Sequence, residues 1–280
     1  MRDSAPIAAV LGWPVEHSRS PLIHGHWLRA HGIEGSYGRL AVPPDEAEAF
    51  FASFRDGPLA GANVTIPHKV LALSTCDRLT ASARAIGAVN TLWREGTRIA
   101  GDNTDGYGFL ANLDQRLPGW DRDRGLALVL GAGGAARAIV HALIERGFDR
   151  VAIANRTRER AEALSGAFAR SGVIDWDAAR TPDPAVSLVV NTTSLGMGGG
   201  PGPDIDLARL GPEAVVTDIV YTPIETELLR SASAAGLRTV DGLGMLLHQA
   251  VPGFERWFGV RPQVTDDLRR IVLDDIGGAS

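Results

Sequence analysis

The stretch GLALVLGAGGAARAIVHALIERG, residues 125–147, decides the fold of the second half of the chain. An apolar run of strand length leads into a glycine turn, and a helical apolar pattern follows the turn. Gly131, Gly133 and Ala136 have the spacing of a dinucleotide-binding turn, in which glycines permit the bend and let a pyrophosphate approach the backbone. The stretch therefore predicts a Rossmann-type unit, with an ordinary tight strand-to-helix turn as the plain alternative.

The end of the next predicted strand, RVAIANRT at residues 150–157, selects the cofactor. An acidic residue there would bind the ribose 2′-hydroxyl of NAD, but the chain has Asn155, Arg156 and Thr157 instead. A guanidinium binds a 2′-phosphate through charge-assisted hydrogen bonds. We therefore expect NADP rather than NAD, with Arg156 as the main contact. Arg158 and Arg160 are equally well explained as solvated helix residues.

The remaining patterns of the second half complete a cofactor domain over residues 106–240. Buried strands are predicted at residues 186–193 and 214–221, and a helix is predicted to follow residue 157 and run through Arg170. The glycine- and proline-rich segment GMGGGPGP, residues 196–203, predicts a loop. Its composition fits a mobile flap and a solvated connection equally well.

The first hundred residues alternate short strands with amphipathic helices, which indicates an α/β fold with parallel strand pairing. The predicted elements are strands at residues 7–13, 37–42 and 61–66, helices at residues 21–30 and 45–54, and a hairpin over residues 88–101 that turns at Glu95 and Gly96. A last helix is predicted over residues 264–275. The sequence thus predicts an α/β protein of two domains, residues 1–105 plus 241–280 and residues 106–240.

Composition excludes several classes of protein. The 280 residues are 45% hydrophobic and 22% charged, which is typical of a globular protein with a sizeable core. A net charge of −5 without a basic stripe argues against a nucleic-acid partner. The long apolar segment at residues 126–144 contains Arg137 and glycines, and the patch at residues 7–11 is too short for a signal peptide. We expect a cytoplasmic protein without a membrane span.

Cys76 is the only cysteine, which excludes an intrachain disulfide and suits a reducing compartment. We expect it to be buried or idle rather than a catalytic thiol. The seven histidines show no ligand-like pairing, and His24 and His26, two residues apart, cannot share one helical face. The sequence therefore predicts no metal site.

The segment NVTIPHK, residues 63–69, places a cation where helix electrostatics disfavour one. Its first residues end a strand, Pro67 suits the first turn of a helix, and Lys69 would lie in that same positive turn. Lys69 is either a solvated surface lysine or a group kept for a ligand, because strand-to-helix loops are where α/β sheets bind ligands.

Four further polar residues have ordinary structural explanations when they are taken singly. Asp105 is expected to cap the helix that follows it, and Ser20, before Pro21, to cap another. Asn90 in the segment GAVNT fits a turn residue, and Ser18 fits an exposed loop hydroxyl.

Together, these segments point to one known family. In their order and spacing, the chain resembles the shikimate dehydrogenases over nearly its whole length, in the segments GWPVEHSRSP, NVTIPHK, GAVNT, GDNTDG, GAGGAARA, NRT and DGLGMLLHQA. The resemblance implies the NADPH-dependent, reversible reduction of 3-dehydroshikimate to shikimate, a step of chorismate and aromatic amino-acid biosynthesis. It also implies two α/β domains around a cleft, one for the substrate and one for the cofactor.

The resemblance further implies roles for individual residues. Ser18 and Ser20, with help from Tyr221, would hold the substrate carboxylate. Ring hydroxyls would be bound by Thr65, Asn90, Asp105 and Gln249. The cofactor would be lined by Gly131, Ala132, Gly133, Gly134, Ala135, Asn155, Arg156, Thr157, Arg160, Ile219 and Gly242. The family pattern is matched least strictly at Arg158 and Glu159.

In the family pattern Lys69 and Asp105 would flank the reacting oxygen. A ketone that accepts a hydride gains negative charge, so a neighbouring donor has to supply a proton or a positive field. We expect Lys69 to do this and Asp105 to orient it through a shared hydrogen bond. The sequence leaves open whether Lys69 is the literal acid or an electrostatic partner.

Two other functions compete with this interpretation. A quinate or quinate/shikimate dehydrogenase would need more room near Ser18 and Ser20 for an extra ring hydroxyl. A non-catalytic NADPH-binding sensor would not need both Lys69 and Asp105. The sequence favours shikimate and NADP, and hence a small-molecule substrate with no nucleic-acid or membrane partner; it is compatible with a homodimer.

Overall fold

The structure is a computed structural model that describes residues 5–278 of the chain. The chain divides into two compact units. Unit 1 comprises Met1–Thr104 and Leu247–Ser280, and unit 2 comprises Asp105–Leu246. Each unit contains one six-stranded sheet with helices packed against it.

Within residues 5–278, the strands are β1 (Ile7–Gly12), β2 (Ser36–Ala41), β3 (Leu59–Val64), β4 (Arg78–Leu79), β5 (Thr91–Glu95), β6 (Arg98–Asp102), β7 (Leu126–Leu130), β8 (Arg150–Ala154), β9 (Ser171–Ile174), β10 (Val186–Asn191), β11 (Val215–Asp218) and β12 (Arg238–Val240).

The α-helices of the same range are α1 (Ser20–Ala30), α2 (Ala47–Ser53), α3 (Lys69–Thr75), α4 (Ala81–Ile86), α5 (Asp105–Arg116), α6 (Gly134–Arg146), α7 (Arg158–Ser165), α8 (Trp176–Ala179), α9 (Glu227–Ala234), α10 (Leu243–His248), α11 (Val251–Phe258) and α12 (Asp266–Gly278). Among these described helices, none combines the length and the apolar composition that crossing a membrane requires.

The sheet of unit 1 is mixed. Its strand order is β2-β1-β3-β5-β6-β4, with β1 parallel to both β2 and β3. The predicted hairpin is β5–β6, and it pairs antiparallel with β3 on one side. Its turn lies at Gly96 and Thr97, one residue later than predicted, because Glu95 still pairs with Arg98. The parallel strands β1 and β3 therefore end side by side at one edge of the sheet.

The end of the chain completes unit 1 by packing α11 on this sheet. The Trp257 indole N–H donates a 2.8 Å hydrogen bond to the carbonyl of Leu92 in β5. A Cβ atom at Gly61 of β3 would lie 1.8 Å from the same indole nitrogen, so only glycine allows this close approach. Helix α11 was not predicted from the sequence, because Pro252 and Gly253 interrupt its apolar pattern.

The opposite face of the unit 1 sheet carries most of the aliphatic core. Residues that alternate with Gly61 along β3, such as Ala62 and Val64, face this side. They pack with Phe51 of α2 and Ala72 of α3 in one buried cluster. The sheet is therefore covered on both faces, and its strand ends are the natural place for exposed polar groups.

His24 of α1 lies in the aromatic layer between α1, α11 and the sheet. Its ring stacks on Tyr37, with 3.9 Å between ring centroids and 8° between planes. The residue is 0% exposed, and neither ring nitrogen has a hydrogen-bond partner within the described chain. Burial lowers the pKa of His24 from 6.5 to about 3, which the nearby Asn63 side chain opposes weakly. The ring is therefore neutral in the folded protein near pH 7.

Unit 2 has the order of a nucleotide-binding sheet. Its strands run β12-β11-β10-β7-β8-β9, and every neighbouring pair is parallel. This is the doubly wound Rossmann order, in which the topology reverses between β7 and β10. Val129 and Val190 pack with Ile139 of α6 on one face, while Leu128 and Val189 belong to the cluster on the other. The α/β prediction with a Rossmann-type domain is confirmed.

The prediction of a helix that runs through Arg170 is wrong at the C-terminal end. Helix α7 stops at Ser165, and the strand β9, which was not predicted, begins at Ser171. Arg170 between them has a left-handed backbone (φ 67), and its guanidinium donates to the carbonyls of Ile144 and Phe148. All four residues of β9 are only partly buried, because it is an edge strand, so it lacks the apolar signal of a buried strand.

Three predicted helix starts also differ from the structure. Helix α1 begins at Ser20 and α5 begins at Asp105, so neither residue is the expected cap. The preceding Arg19 already has near-helical backbone angles (φ −89, ψ −2), which moves the start of α1 earlier than the Ser-Pro signal. Pro67 lies in the turn before α3 rather than in its first turn, and Lys69 is the first helical residue.

We predict that His24 makes stability depend on pH. Below pH 6.5 the unfolded chain protonates this histidine, whereas the folded chain does not until about pH 3, so acid favours unfolding. The free energy of unfolding should fall by about 1.4 kcal/mol between pH 7.5 and pH 5.5 from this one group. In His24→Phe, which keeps a ring against Tyr37, this part of the loss should disappear.

Urea unfolding of wild type, His24→Phe and His17→Asn at the two pH values checks this. His17 is exposed, so His17→Asn should keep the wild-type pH dependence. An equal loss of stability in wild type and His24→Phe would show that His24 is not the responsible group.

Candidate active site

Ser18 lies in the loop that follows β1, and Ser20 is the first residue of α1; residues 18–20 form the serine loop. The Ser20 N–H donates to the Ser18 hydroxyl at 3.3 Å. The guanidinium of Arg39 donates twice to the Ser18 carbonyl, at 2.7 and 3.1 Å, and the Ser18 N–H donates to the Val15 carbonyl. The backbone of this loop is thus fixed from two sides, and the structure brings the two predicted serines together.

Thr65 occupies the equivalent place after β3. Its N–H donates a 2.8 Å hydrogen bond to the Leu11 carbonyl, which extends the pairing of β1 and β3. A Cβ atom at Gly12 would lie 2.4 Å from the Thr65 methyl carbon, so glycine is needed for the threonine to pack here. The carboxyl ends of two parallel neighbours therefore hold Thr65 and the serine loop at the same edge of the sheet.

Lys69 is the first residue of α3, which confirms its placement in the first turn. It is partly exposed, and its carbonyl accepts a 2.9 Å hydrogen bond from the Val89 N–H. The preceding His68 is buried, with its Nε2 atom 2.7 Å from the Val42 carbonyl oxygen. Lys69 is also the only lysine among the 28 lysines and arginines of the sequence.

Asn90 is the centre of a buried hydrogen-bond network in unit 1. Its side-chain oxygen accepts from the Thr104 N–H and from the Thr91 hydroxyl, both at 2.9 Å. Its own N–H donates to the Asp102 carbonyl, and its carbonyl accepts from Val64 at 2.8 Å. These donors identify the oxygen end of the carboxamide, so its other end is the Nδ2 donor.

Two neighbours extend this network. The Asn63 carboxamide donates to the Asn90 carbonyl and to the Thr91 hydroxyl, each at 3.2 Å. The Thr104 hydroxyl lies 2.8 Å from the Gln249 carbonyl, to which it donates. The returning segment that carries Gln249 is therefore joined to the Asn90 region through buried polar groups. Sequence analysis predicted Asn90 and Gln249 separately, and the structure shows that one network includes both.

Cys76 has the properties of a structural residue. Its thiol donates to the Ala72 carbonyl, and burial raises its pKa from 9.0 to about 12, with the charge of Asp77 acting in the same direction. A thiol in this environment is protonated near pH 7 and is a poor nucleophile. Across residues 5–278, no group of three or more His, Cys, Asp or Glu side chains is arranged to hold a metal ion.

In unit 2, the glycine turn between β7 and α6 has the predicted conformation. Gly131 has a backbone φ of +109, and a Cβ atom there would lie 2.5 Å from the Thr192 hydroxyl. Its N–H donates to the Ala154 carbonyl at 2.7 Å, which ties the turn to β8. Gly131 is therefore required by the fold itself.

Gly133 and Gly134 are different, because nothing in the protein requires a glycine there. A Cβ atom at either position would have no atom within 4 Å. Gly133 precedes the first residue of α6, a 13-residue helix, and no side chain caps that end. Open space in front of free helix N–H groups fits the approach of a pyrophosphate.

The arginines after β8 fall into two groups. Arg158 donates to Glu162 at 2.8 Å and also pairs with Asp175. Arg156 and Arg160 are exposed, and their guanidinium groups form no hydrogen bond or ion pair with any residue of the described structure. The guanidinium groups of Arg156 and Arg160 fit a 2′-phosphate, whereas that of Arg158 is engaged by Glu162 and Asp175. This agrees with Arg158 matching the family pattern poorly.

Ile219 and Gly242 meet at the end of β11. A Cβ atom at Gly242 would lie 2.5 Å from the Ile219 carbonyl oxygen, so the two backbones touch. The buried Asp218 carboxylate accepts from the Asn191 side chain at 3.0 Å and from the Thr226 hydroxyl at 2.8 Å. Burial raises the pKa of Asp218, and these hydrogen bonds oppose the rise. This carboxyl fixes the strand ends that carry Ile219 and, two residues on, Tyr221.

Residues 196–203 are tied into unit 2 at two points. Gly196 donates to the Pro201 carbonyl and Gly198 to the Thr222 carbonyl, each at 2.9 Å. The Gly202 N–H donates to the Glu227 carboxylate at 2.7 Å. A short 3₁₀ turn, Met197–Gly199, includes Gly198. The segment is a hydrogen-bonded loop next to the Tyr221 region.

Asp105 begins α5 in unit 2. Its carboxylate lies in the first turn, where the helix dipole favours an anion. The next residue, Gly106, packs against α6: a Cβ atom there would be 2.9 Å from the Ala138 carbonyl oxygen. Helix α6 starts at the glycine turn, so α5 and the cofactor candidates are held by one packed helix pair.

Among the residues that were not predicted from the sequence are Tyr37 and Asn63, which belong to the unit 1 network, and His24, which stacks on Tyr37. Asn63 carried a signal, because a polar residue inside the apolar strand β3 has to find buried partners. Tyr37 and His24 carried none, since a tyrosine on an edge strand and a histidine on a helix have many ordinary explanations.

Three family models match the chain. They are the shikimate dehydrogenase substrate binding domain over residues 10–92, shikimate / quinate 5-dehydrogenase over residues 115–189, and the shikimate 5′-dehydrogenase C-terminal domain over residues 242–271. The shikimate dehydrogenase (NADP(+)) of Azorhizobium caulinodans is 56% identical over 269 residues, which cover 96% of each chain.

Solved structures give the same result. The shikimate 5-dehydrogenase of Thermus thermophilus, in complex with NADP(H) and shikimate, has a TM-score of 0.82 at 36% identity and covers 95% of this chain and 99% of its own. The quinate dehydrogenase of Corynebacterium glutamicum, in complex with NAD, has a TM-score of 0.85 at 31% identity and covers 96% and 99%.

We predict that two alanine substitutions in the glycine turn affect different properties, one the stability and the other the binding of NADP⁺. Gly131→Ala should lower the free energy of unfolding by about 1–3 kcal/mol, because the alanine is strained at positive φ and meets Thr192. Gly133→Ala should change it by less than about 1 kcal/mol but weaken NADP⁺ binding, because its methyl group enters the space in front of the helix.

Thermal unfolding and NADP⁺ titration of both variants test this pair. If Gly133→Ala binds NADP⁺ as tightly as the wild type does, the pyrophosphate does not lie in front of Gly133. Wild-type stability of Gly131→Ala would mean that the turn relaxes without cost.

Proposed function

The chain belongs to the shikimate dehydrogenase family, and on that premise we propose that it catalyses the reversible reduction of 3-dehydroshikimate to shikimate with NADPH. The reaction is a step of the shikimate pathway to chorismate and the aromatic amino acids. The observation that carries the proposal is the near-full-length similarity to NADP⁺-dependent shikimate dehydrogenases. The protein is thus an NADP-dependent oxidoreductase that acts on a small molecule.

The serine loop supports a role in binding the substrate carboxylate. Ser18 and Ser20 place two hydroxyl groups on a loop whose backbone is fixed by Arg39. Hydroxyl donors bind a carboxylate without neutralising it, so they orient the substrate more than they trap it. Tyr221 is proposed to add a third hydroxyl donor.

The ring hydroxyls are assigned to Thr65, Asn90, Gln249 and Asp105. Asn90 is the best supported of these, because the hydrogen bonds to its side-chain oxygen fix the orientation of its carboxamide. A site built to hydrogen-bond a hydroxyl rejects analogues that lack it, since its buried polar groups would then be unpaired. This geometry favours a polyhydroxylated ring over a simple ketone.

The cofactor residues proposed are those of the glycine turn, the exposed arginines and the backbone at Ile219 and Gly242. Bound NADPH supplies the hydride, and the residues of the chain have to hold the ketone and deliver a proton to its oxygen. Arg156 and Arg160 are proposed to hold the 2′-phosphate, and Asn155 and Thr157 to shape the adenosine end of the site, together with the cofactor-lining residues Gly131, Ala132, Gly133, Gly134 and Ala135.

Lys69 is proposed to give its proton to the carbonyl oxygen during reduction and to regain it during oxidation, with Asp105 orienting it. The composition supports an ammonium at this position: every other strongly basic residue of the chain is arginine. A guanidinium does not release its proton in proteins, whereas an ammonium can. A purely electrostatic role would have been equally well served by arginine.

The remaining features of the proposal concern organisation. We assign substrate binding to residues 1–105 plus 241–280 and cofactor binding to residues 106–240. A cytoplasmic location is inferred from the single cysteine and the reducing power of NADPH. A homodimer is proposed as the state in solution, which light scattering at assay concentration would test.

Initial rates of oxidation of shikimate and quinate, each with NADP⁺ and NAD⁺, test the function. We expect the highest kcat/KM with shikimate and NADP⁺. A higher kcat/KM with quinate would support the alternative that the protein is a quinate dehydrogenase, as one of its structural relatives is. No turnover with any of the four pairs, in protein that binds NADP⁺, would support a non-catalytic sensor.

We predict that Lys69→Ala lowers kcat by about 10²–10⁴-fold with a smaller change in KM, which is the range for a positioned acid or base. Lys69→Arg should be as slow as Lys69→Ala, because the charge returns without a transferable proton. Steady-state kinetics of both variants decide the matter. Near-full turnover in Lys69→Arg would reduce the role of Lys69 to a positive field, and near-full turnover in Lys69→Ala would refute the assignment.

We predict that Arg156→Ala raises KM for NADP⁺ by about 10–100-fold, the loss of charge-assisted hydrogen bonds, and leaves KM for NAD⁺ nearly unchanged. Arg158→Ala is the matched control, because Glu162 and Asp175 already engage that guanidinium. Equal losses with both cofactors in Arg156→Ala, or an NADP⁺-selective loss in Arg158→Ala, would contradict the placement of the 2′-phosphate.

A further inference from the structure

Tyr37, on the edge strand β2, supports the Asn90 network. Its hydroxyl donates a 2.6 Å hydrogen bond to the side-chain oxygen of Asn63. Asn63 in turn donates to the Asn90 carbonyl. One phenol therefore holds a buried carboxamide that belongs to this network.

Packing fixes the position of this hydroxyl. The Tyr37 ring stacks on the fully buried His24 ring, with 3.9 Å between centroids and 8° between planes. Trp257 of α11 lies 5.9 Å from the same ring, at 37°. The phenol is thus held between α1 and α11, and its oxygen cannot follow a moving partner without disturbing two helices.

Asn63 passes the constraint on to the rest of the network. Its oxygen is engaged by Tyr37, so its NH₂ group faces the Asn90 carbonyl and the Thr91 hydroxyl, both at 3.2 Å. Without the phenol, the carboxamide oxygen of Asn63 would lose its hydrogen-bond donor. The Asn90 backbone and the Thr91 hydroxyl, which orient the Asn90 side chain, would lose part of their support.

The protonation state of Tyr37 suits a permanent donor. Burial raises the pKa of the Tyr37 phenol far above its usual value, and the neighbouring Ser20 hydroxyl offsets this only in part. The phenol therefore keeps its proton over any pH at which the enzyme would be assayed.

We propose that Tyr37 is a positioning residue for substrate binding: through Asn63, it sets the geometry of Asn90, without touching the substrate itself. This inference rests on the proposed function, since it assigns Asn90 to the substrate.

Tyr37→Phe is the direct test, because it removes one oxygen and keeps the ring against His24. KM for shikimate should rise about tenfold, on the order expected for one misplaced hydrogen-bonding group. The value of kcat should change less than about twofold, and KM for NADP⁺ should not change. Ile99→Val is the matched control: it removes one methylene from the unit 1 core, outside the network, and should leave KM for shikimate unchanged.

A double-mutant comparison separates positioning from general loosening of the fold. If Tyr37 acts through Asn63, Tyr37→Phe should raise KM for shikimate much less in an Asn63→Ala background than in wild type. All variants are assayed at a temperature where thermal unfolding shows them folded. Full additivity of the two effects, an unchanged KM in Tyr37→Phe, or an equal rise in Ile99→Val would each overturn the inference.

The activity of the wild-type protein distinguishes a failure of the proposed function from a failure of the proposed role of Tyr37. Wild-type protein that does not oxidise shikimate with NADP⁺ would overturn the proposed function. Wild-type protein that is active, with a Tyr37→Phe variant of unchanged KM, would overturn only the role of Tyr37.

Discussion

The side-chain oxygen of Asn90 is the point on which the geometry of unit 1 depends. Three separate parts of the chain donate to this residue or accept from it: the end of β3, the start of β5 and the turn that ends at Thr104. Thr104 in turn holds the carbonyl of Gln249, from the segment that returns to unit 1. Because an unpaired buried carboxamide costs free energy, these segments are stable only in the arrangement that satisfies it. Folding therefore orients the polar groups before a ligand arrives.

Unit 2 depends on a different kind of constraint, which is steric. Gly131 has to be glycine for the fold, whereas Gly133 and Gly134 leave open space that the fold does not need. The same contrast separates Arg158, which is paired within the protein, from the exposed Arg156. Features that folding requires and features that only a ligand requires can thus be told apart residue by residue.

Sequence patterns were sufficient for the parts of the structure that depend on local chemistry. The glycine turn, the Rossmann order and the placement of Lys69 follow from spacing and apolar periodicity. The edge strand β9 and the helix α11 were missed, because partial burial and a Pro-Gly pair remove the signals on which such predictions rest. The network could not be predicted either: Tyr37 meets Asn63 only because β2 and β3 both pair with β1, and a side-chain hydrogen bond between distant residues leaves no periodicity in the sequence.

The central claim is that the substrate side of the protein is ordered by its own buried hydrogen bonds. Amide hydrogen exchange of the ligand-free protein, followed by NMR, tests this most directly at the Thr104 N–H, whose partner is the Asn90 side chain. We expect its protection to match that of the Val64 N–H, a strand-end amide bonded to the Asn90 carbonyl. Exchange of Thr104 at the rate of an unstructured peptide, with Val64 still protected, would contradict the account.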